Sequence, residues 1–376
     1  MQFRDLGLQY KELKQEIDAG IQKVIGSSDF ILGKPVAELE EKLAAYVGRK
    51  YCIGVANGTE ALQLSLMAMD VGPGDAVFTS DFTYFASAGC ASIVGATPVL
   101  VDIDIDTFNI SPEALERQII KVLAEGRLTP KVIIPVDLFG LPADMPEIDK
   151  IAKKYGLMVL EDAAQGFGGR IYGKLACSFG DISATSFFPA KPLGCYGDGG
   201  AIFTDDEALD ARLRSLRASG QSPEDKFDNI EVGINSRLDT LQAAILLPKF
   251  KAFVDYEADA VNKVAKRYSA MLKDAVVTPT VPEGYYSSWA QYTVLMKDAE
   301  QRSNVQAKLK EKGIPTKIYY PRGLHQQKAY AWMQLGDGDY CNTIEATKRV
   351  LSLPIHPYLP EEEQQFVTES LLEALR

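Results

Sequence analysis

The sequence is poor in the residues that most often carry hydrolytic or metal chemistry. Its 376 residues include two histidines, His325 and His356, and two tryptophans. Neither a Ser-His-Asp spacing nor a His/Cys cluster can be drawn from that set, so triad and metal-centred reactions lack candidate residues. Five cysteines (Cys52, Cys90, Cys177, Cys195, Cys341) are scattered and odd in number. That pattern predicts no disulfide framework, and a reducing cytoplasm is the simplest setting. No apolar run has the length of a membrane span. The richest, residues 87–101, is broken by Gly95 and Pro98 and reads as a helix end followed by a buried strand. The opening Met-Gln-Phe-Arg-Asp-Leu has neither a basic nor an apolar region, so no secretory signal is expected. Positive charge is also scarce: 40 Lys and Arg against 51 Asp and Glu leave a net charge of −11. Nonspecific nucleic-acid binding runs on phosphate neutralisation and is not expected here. An acidic chain that takes an anionic ligand must gather its cations at one place, which makes arginines near a site informative.

What is present is an alternation of short apolar runs with helical spacings. Strands are predicted at Tyr51–Val55, Ala76–Thr79, Pro98–Val101, Lys131–Pro135, Leu157–Leu160 and Ala201–Thr204. Between them lie helices such as 61–69, 112–124, 145–155 and 206–218. Such alternation predicts an α/β fold with a mainly parallel sheet covered on both faces. Ahead of it, residues 10–27 and the stretch through Val36, Leu39, Leu43 and Val47 have helical periodicity. Gly220–Glu231 reads as a polar loop. A long helix follows from Leu241 through Val254 toward Leu272, with a kink expected at Pro248. Beyond it a smaller α+β part is predicted, with strands Trp289–Met296 and Thr316–Tyr319 and helices 304–312, 344–351 and 360–375. The expected division is 1–250 and 251–376.

The most informative stretch is 181–200, Asp-Ile-Ser-Ala-Thr-Ser-Phe-Phe-Pro-Ala-Lys-Pro-Leu-Gly-Cys-Tyr-Gly-Asp-Gly-Gly. A strand through Ile182, Ala184 and Ser186 is stopped by Pro189, and Lys191 follows between two prolines and near four glycines. A lysine held there has room for a planar ligand beside its amine, and partial desolvation would free that amine for imine chemistry. Taken alone it reads as a solvated surface charge. Glu161-Asp162-Ala163-Ala164-Gln165 changes the balance, because Asp162 falls at the carboxyl end of a strand, where open α/β sheets bind ligands. A lysine and a carboxylate are what pyridoxal phosphate (PLP) requires of a site.

Glu-Asp-Ala-Ala-Gln, Ser-Phe-Phe-Pro-Ala-Lys and Gly-Asp-Gly-Gly-Ala together resemble the DegT/DnrJ/EryC1/StrS sugar aminotransferases, PLP enzymes of fold type I, over nearly the whole chain. The resemblance implies that Lys191 is catalytic and that Gly58, Thr59 and Ser186 hold the cofactor phosphate. It further implies that Tyr84 stacks on the cofactor ring, that Asp162 meets its nitrogen and that Gln165 meets its phenolic oxygen. Without it, Thr59 is an N-cap and Tyr84 an ordinary half-buried aromatic. Gly233-Ile-Asn-Ser-Arg-Leu-Asp239 contains Asn235 and Arg237, which the resemblance sends into the site of a second copy, making a homodimer with shared active sites. Read locally, the two are capping and surface residues. Implied substrates are L-glutamate and a nucleotide-linked keto sugar, with Arg217, Arg237, Tyr319, Tyr320, Arg322 and His325 as sugar-side candidates.

Within the family the chain looks most like the aminotransferases of UDP-2-acetamido-2-deoxy-3-oxo-glucuronate, on a route to surface polysaccharide. It departs from them at Tyr319-Tyr320-Pro321, where His-Tyr-Pro is usual. Another dTDP- or UDP-linked 3- or 4-keto sugar is the alternative substrate, and a noncatalytic sensor on the same fold the alternative of another class. If the sugar carries a C6 carboxylate, Arg217 is the favoured cation for it and Arg322 the second. Asp102, Asp104 and Asp106 alternate but lack the glycine and distal Glu of a calcium loop, so they read as helix entry and no metal is expected. Neither histidine has a partner in sequence that would make a dyad.

Overall fold

The computed structural model describes residues 1–225 and 227–376; Lys226, inside the expected Gly220–Glu231 loop, lies outside them. Helices α1 (Leu6–Ser27) and α2 (Lys34–Val47) lead into strand β1 (Tyr51–Val55). There follow α3 (Gly58–Ala68), β2 (Asp75–Ser80), α4 (Ala86–Ile93), β3 (Thr97–Val101), α5 (Pro112–Glu125), β4 (Thr129–Ile134), α6 (Met145–Tyr155) and β5 (Met158–Asp162). Two short strands, β6 (Arg170–Ile171) and β7 (Lys174–Leu175), precede β8 (Ile182–Ser186), β9 (Gly200–Thr204) and α7 (Glu207–Leu216). The rest comprises α8 (Thr240–Ala252), α9 (Ala258–Leu272), β10 (Tyr285–Tyr286), β11 (Tyr292–Leu295), α10 (Ala299–Glu311), α11 (Cys341–Arg349), β12 (Val350–Leu353) and α12 (Glu361–Ala374).

Seven strands form one sheet in the order β1-β9-β8-β5-β4-β2-β3. Only β9 runs against the others. The carboxyl ends of the six parallel strands therefore share one edge, where β9 begins. Both faces are covered, as the apolar runs of the strands require: Ile53, Val77, Ile134 and Ile202 pack on one side, Phe78, Ile133 and Val159 on the other. This is the mainly parallel, doubly covered sheet expected from the alternation, and it agrees with the fold type I that the resemblance implies.

A second core is drawn from residues 261–374, where α9, α10 and α12 pack on the two-stranded sheet of β11 and β12. Here the sequence reading needs correction. The helix expected at 344–351 ends at Arg349, and Val350–Leu353 pairs register for register with Tyr292–Leu295. Its apolar residues, broken only by Ser352, fit a strand buried on both faces as well as a helix end, and the partner strand decides. Thr316–Tyr319 has only the isolated bridge Lys317–Ser352 instead of a strand. The expected kink at Pro248 is also displaced. Pro248 sits inside α8, and the helix widens to a π turn at Phe253–Glu257. The Ala244 carbonyl, four residues before Pro248, faces Gly20 of α1, where a Cβ would come within 3.1 Å of it. That carbonyl is the one Pro248, lacking an N–H, leaves without its helical donor. Asp102 does mark a helix entry, though a distant one: its carboxylate accepts the N–H groups of Asn342 (3.0 Å) and Thr343 (2.8 Å) at the start of α11.

Candidate active site

The loop after β8 is folded tightly on itself. Phe188 O accepts the Lys191 N–H (2.8 Å) and Phe187 O accepts the Cys195 N–H (2.8 Å). A Cβ on Gly194 would lie 2.6 Å from Pro189 O, so glycine is required for that closure. Leu193 and Cys195 anchor the loop in the core, and Arg4 donates to Pro192 O at 3.4 Å. Lys191 is thereby fixed at the carboxyl edge of the sheet. Burial pulls its pKa down to about 8, against the charge of Asp162 and with that of Arg4. At pH 7 roughly one molecule in ten then carries a neutral amine, against well under one in a thousand for an ordinary lysine.

Asp162 ends β5, two places along the sheet from the strand turn that holds Gly200. It is 4% exposed, and burial raises its pKa against the hydrogen bonds that hold it. Oδ2 accepts from the Ser87 hydroxyl (2.8 Å) and Oδ1 from the Ala164 N–H (3.2 Å). Such a carboxylate is poised to share a proton with a basic ring nitrogen. At β1's end, Asn57 caps α3 by accepting the Glu60 N–H (2.8 Å), and the first helical bond runs from Ala61 N to Asn57 O. Gly58 and Thr59 thus present N–H groups ahead of the helical ladder. A Cβ on Gly58 would stand 2.7 Å from the Ser186 Cβ, and one on Gly200 2.7 Å from the Asn57 carbonyl carbon. The two glycines let the helix start press against β8 and β9, which puts a hydroxyl beside those free N–H groups. That is the make-up of a phosphate site.

These groups open on one cleft of about 950 Å³, lined by Gly58, Thr59, Tyr84, Asp162, Gln165, Ser186 and Lys191 and, across it, by Tyr319, Tyr320 and Arg322. The volume is at the upper end of the range for ligand pockets. The Tyr84 ring is 60% exposed and free to cover a flat ligand. Gln165 Oε1 accepts from the Phe139 N–H (2.9 Å) while Nε2 reaches the Tyr320 hydroxyl (3.3 Å), so the amide presents its donors to the cleft. Buried amine, buried carboxylate, open helix start and exposed ring fit PLP.

Four expected sugar- or cofactor-side residues are not brought to this cleft. Arg217 is buried, and its guanidinium donates to Glu40 Oε1 (2.6 Å) and Gly54 O (2.7 Å). A cation committed to α2 and β1 in this way is structural. His325 is turned from the cleft, with Nδ1 2.6 Å from Asp81 Oδ2 and Nε2 3.0 Å from Asp337 Oδ1. These partners lie 244 residues before it and 12 after it, which is why none shows in the local sequence. Asn235 is exposed and Arg237 half-buried; neither makes a side-chain hydrogen bond among the described residues, and neither lines their own chain's cleft. Sequence reasoning missed Ser87, which holds Asp162, and Arg4, behind Lys191. Nothing in their local spacing marks them, since both act across the fold.

The fold and the lysine–carboxylate cleft define a PLP-dependent aminotransferase of fold type I. The chain belongs to the DegT/DnrJ/EryC1/StrS aminotransferase family, whose model matches residues 11–372. It is 48% identical over 364 residues to the UDP-2-acetamido-2-deoxy-3-oxo-D-glucuronate aminotransferase of Pseudomonas aeruginosa, covering 96% of each chain. It is 44% identical to a pleiotropic regulatory protein of Geobacillus stearothermophilus, covering 99% of this chain and 98% of that one. A solved family aminotransferase from Brucella abortus superposes with a TM-score of 0.95 at 47% identity, covering 99% of this chain and 98% of its own. Members of this family depend on PLP. No helix among the described residues is long and apolar enough to cross a membrane.

Proposed function

We propose that the chain moves the amino group of L-glutamate to C3 of UDP-2-acetamido-2-deoxy-3-oxo-glucuronate, on a route to surface polysaccharide such as O-antigen or capsule. The observation that carries this is the end-to-end similarity to the Pseudomonas aeruginosa enzyme named for that substrate. The cleft adds support: Arg322, exposed on its wall, makes no ion pair or side-chain hydrogen bond among the described residues. It is free to meet a sugar carboxylate, which Arg217 is not.

When bound, PLP supplies an aldehyde that takes up the amino group and a ring that withdraws electrons from the carbon being deprotonated. The chain's residues do the rest. Lys191 Nζ would hold the cofactor through its aldehyde and, as a neutral amine, would serve as the proton carrier. Asp162 would keep a proton on the ring nitrogen, Gln165 would donate to the phenolic oxygen, and Tyr84 would cover the ring face. Gly58, Thr59 and Ser186 would hold the phosphate. The walls bearing Tyr319, Tyr320 and Arg322 orient the sugar.

Arg322→Met is expected to lower kcat/KM on the uronate by about 1.5–3 kcal/mol, roughly ten- to a hundredfold, through loss of a charge-assisted bond. A matched keto sugar with CH2OH at C6 should lose much less. Arg217→Met should leave the ratio between the two sugars unchanged and instead reduce stability by about 1.5–3 kcal/mol, since Glu40 keeps Arg214 (2.9 Å) as a partner. Equal losses on both sugars for Arg322→Met would take the carboxylate role from Arg322, and turnover confined to another dTDP- or UDP-linked 3- or 4-keto sugar would remove the uronate reading.

The active form in this reading is a cytoplasmic homodimer in which Asn235 and Arg237 complete the partner's site, Asn235 near the phosphate and Arg237 near the sugar diphosphate. Their unbonded side chains, outside their own cleft, support that role. Mixing inactive Lys191→Ala with inactive Arg237→Ala chains should restore up to a quarter of wild-type activity per site, because one site of each mixed dimer is intact. No recovery after demonstrated subunit exchange would return Arg237 to its own chain. The division at residue 250 belongs to the same reading; the second core, drawn wholly from residues 261–374, supports it.

A further inference from the structure

The loop that carries Tyr320 and Arg322 into the cleft is pinned from behind. Leu324 N–H donates to Asp81 O (2.8 Å) and His325 N–H to Asp81 Oδ1 (2.7 Å), at the end of β2. A Cβ on Gly323 would collide with the Asp81 carboxylate, so the loop lies directly on it. The His325 ring is stacked on Tyr340 (centroids 4.3 Å, planes 14° apart), and its two nitrogens face Asp81 Oδ2 at 2.6 Å and Asp337 Oδ1 at 3.0 Å. A neutral imidazole has one N–H and one lone pair. Only the imidazolium donates at both nitrogens, so two carboxylates on opposite sides describe a cation.

We propose that His325 is a positioning residue for the sugar half of the reaction: as an imidazolium held between Asp81 and Asp337 it fixes the loop bearing Tyr320 and Arg322, and sugar affinity falls when that proton is lost. The inference rests on the reading that this loop meets the sugar.

The surroundings give the sign. Burial alone would lower the pKa of His325, but the bonds and charges of Asp81 and Asp337 outweigh it, and the net direction is upward. Asp81 is pushed up by burial against the pull of His325, with Asp102 adding repulsion. Tyr340, Asp339 and Lys348 complete the charged and titratable groups packed around the ring and its two partners. The inner proton therefore stays between His325 and the buried Asp81, and the one that leaves is on Nε2. A bare Nε2 lone pair then faces the Asp337 carboxylate, and the outer contact opens. The clamp is fully present below the ordinary histidine pKa of about 6.5 and is lost as pH rises through the higher folded value.

Three measurements on the holoenzyme test this. With two histidines in the chain, ring NMR signals are readily assigned; His325 should titrate above its ordinary value, and His356, which burial pulls down to about 4, far below. The KM of wild type for the nucleotide sugar should rise about three- to tenfold from pH 6 to pH 9, with kcat moving less. Asp337→Ala should hold KM at the raised value throughout. Asp337→Asn should hold it low throughout, because an amide can accept from a protonated Nε2 or donate to a bare one. A pH slope in Asp337→Asn equal to that of wild type, or a His325 titration at or below the ordinary value, overturns the proposal. Failure of the substrate reading looks different: wild type turns over no 3-keto sugar, and the histidine titration still decides the clamp.

Discussion

Lys191→Ala is expected to lose transamination by about 10⁴-fold or more, since one substitution removes both the nucleophile and the group that moves the proton. The variant should still take up PLP, because the helix start at Gly58 and Thr59, the Ser186 hydroxyl and the Asp162 carboxylate are untouched. What disappears is the visible absorbance due to attachment through Nζ, so the cofactor should come away on dialysis from the variant and stay with wild type. The loop itself should survive, as its closure rests on backbone bonds and on Leu193 and Cys195. A pH signature accompanies the result. Attachment needs the neutral amine, and with a pKa near 8 the rate at which the apo form captures PLP should climb with pH and level off above that value. An unburied lysine would go on climbing past pH 10. Near-normal turnover in Lys191→Ala would contradict the assignment.

Asp162→Asn should be the next most damaging change. The amide can keep both contacts, its oxygen accepting from the Ala164 N–H and its NH2 donating to the Ser87 hydroxyl, so the geometry is kept and stability should change little. What it cannot do is balance a positive charge on the ring nitrogen. A preorganised charge of this kind is worth roughly 10²–10³ in kcat, with little change in KM for the sugar. A kcat within threefold of wild type would show that Asp162 serves the fold alone. Ser87→Ala provides the graded control: it removes one bond to the carboxylate and should produce a milder loss of the same kind.

The parts of this site that were legible in the sequence are those where chain punctuation and chemistry coincide. Lys191 follows a strand stopped by Pro189, Asp162 ends an apolar run, and Gly58-Thr59 opens a helix; each lies where a strand's carboxyl end meets a turn. The parts misread depend on partners far along the chain. Arg217 looked like a free cation because Glu40, 177 residues away, gives no local sign of claiming it. His325 looked isolated because Asp81 lies 244 residues earlier. Ser87 sits in a stretch of small residues whose only local message is helix. The helix end expected at 350–351 failed for another reason: a short apolar stretch suits either element, and only pairing with Tyr292–Leu295 selects the strand. Propensity and periodicity describe neighbours, while buried charge is settled by whatever the fold brings alongside.

The central claim is best tested by following the nitrogen. The PLP-loaded protein is given nitrogen-15-labelled L-glutamate and UDP-2-acetamido-2-deoxy-3-oxo-glucuronate, and the sugar product is read by NMR. The expected result is label bonded to C3 of the uronate, with one 2-oxoglutarate released for each amino sugar formed and none from the Lys191→Ala protein. Absence of label from the sugar, or label entering only a 4-keto sugar offered alongside it, would contradict the assignment.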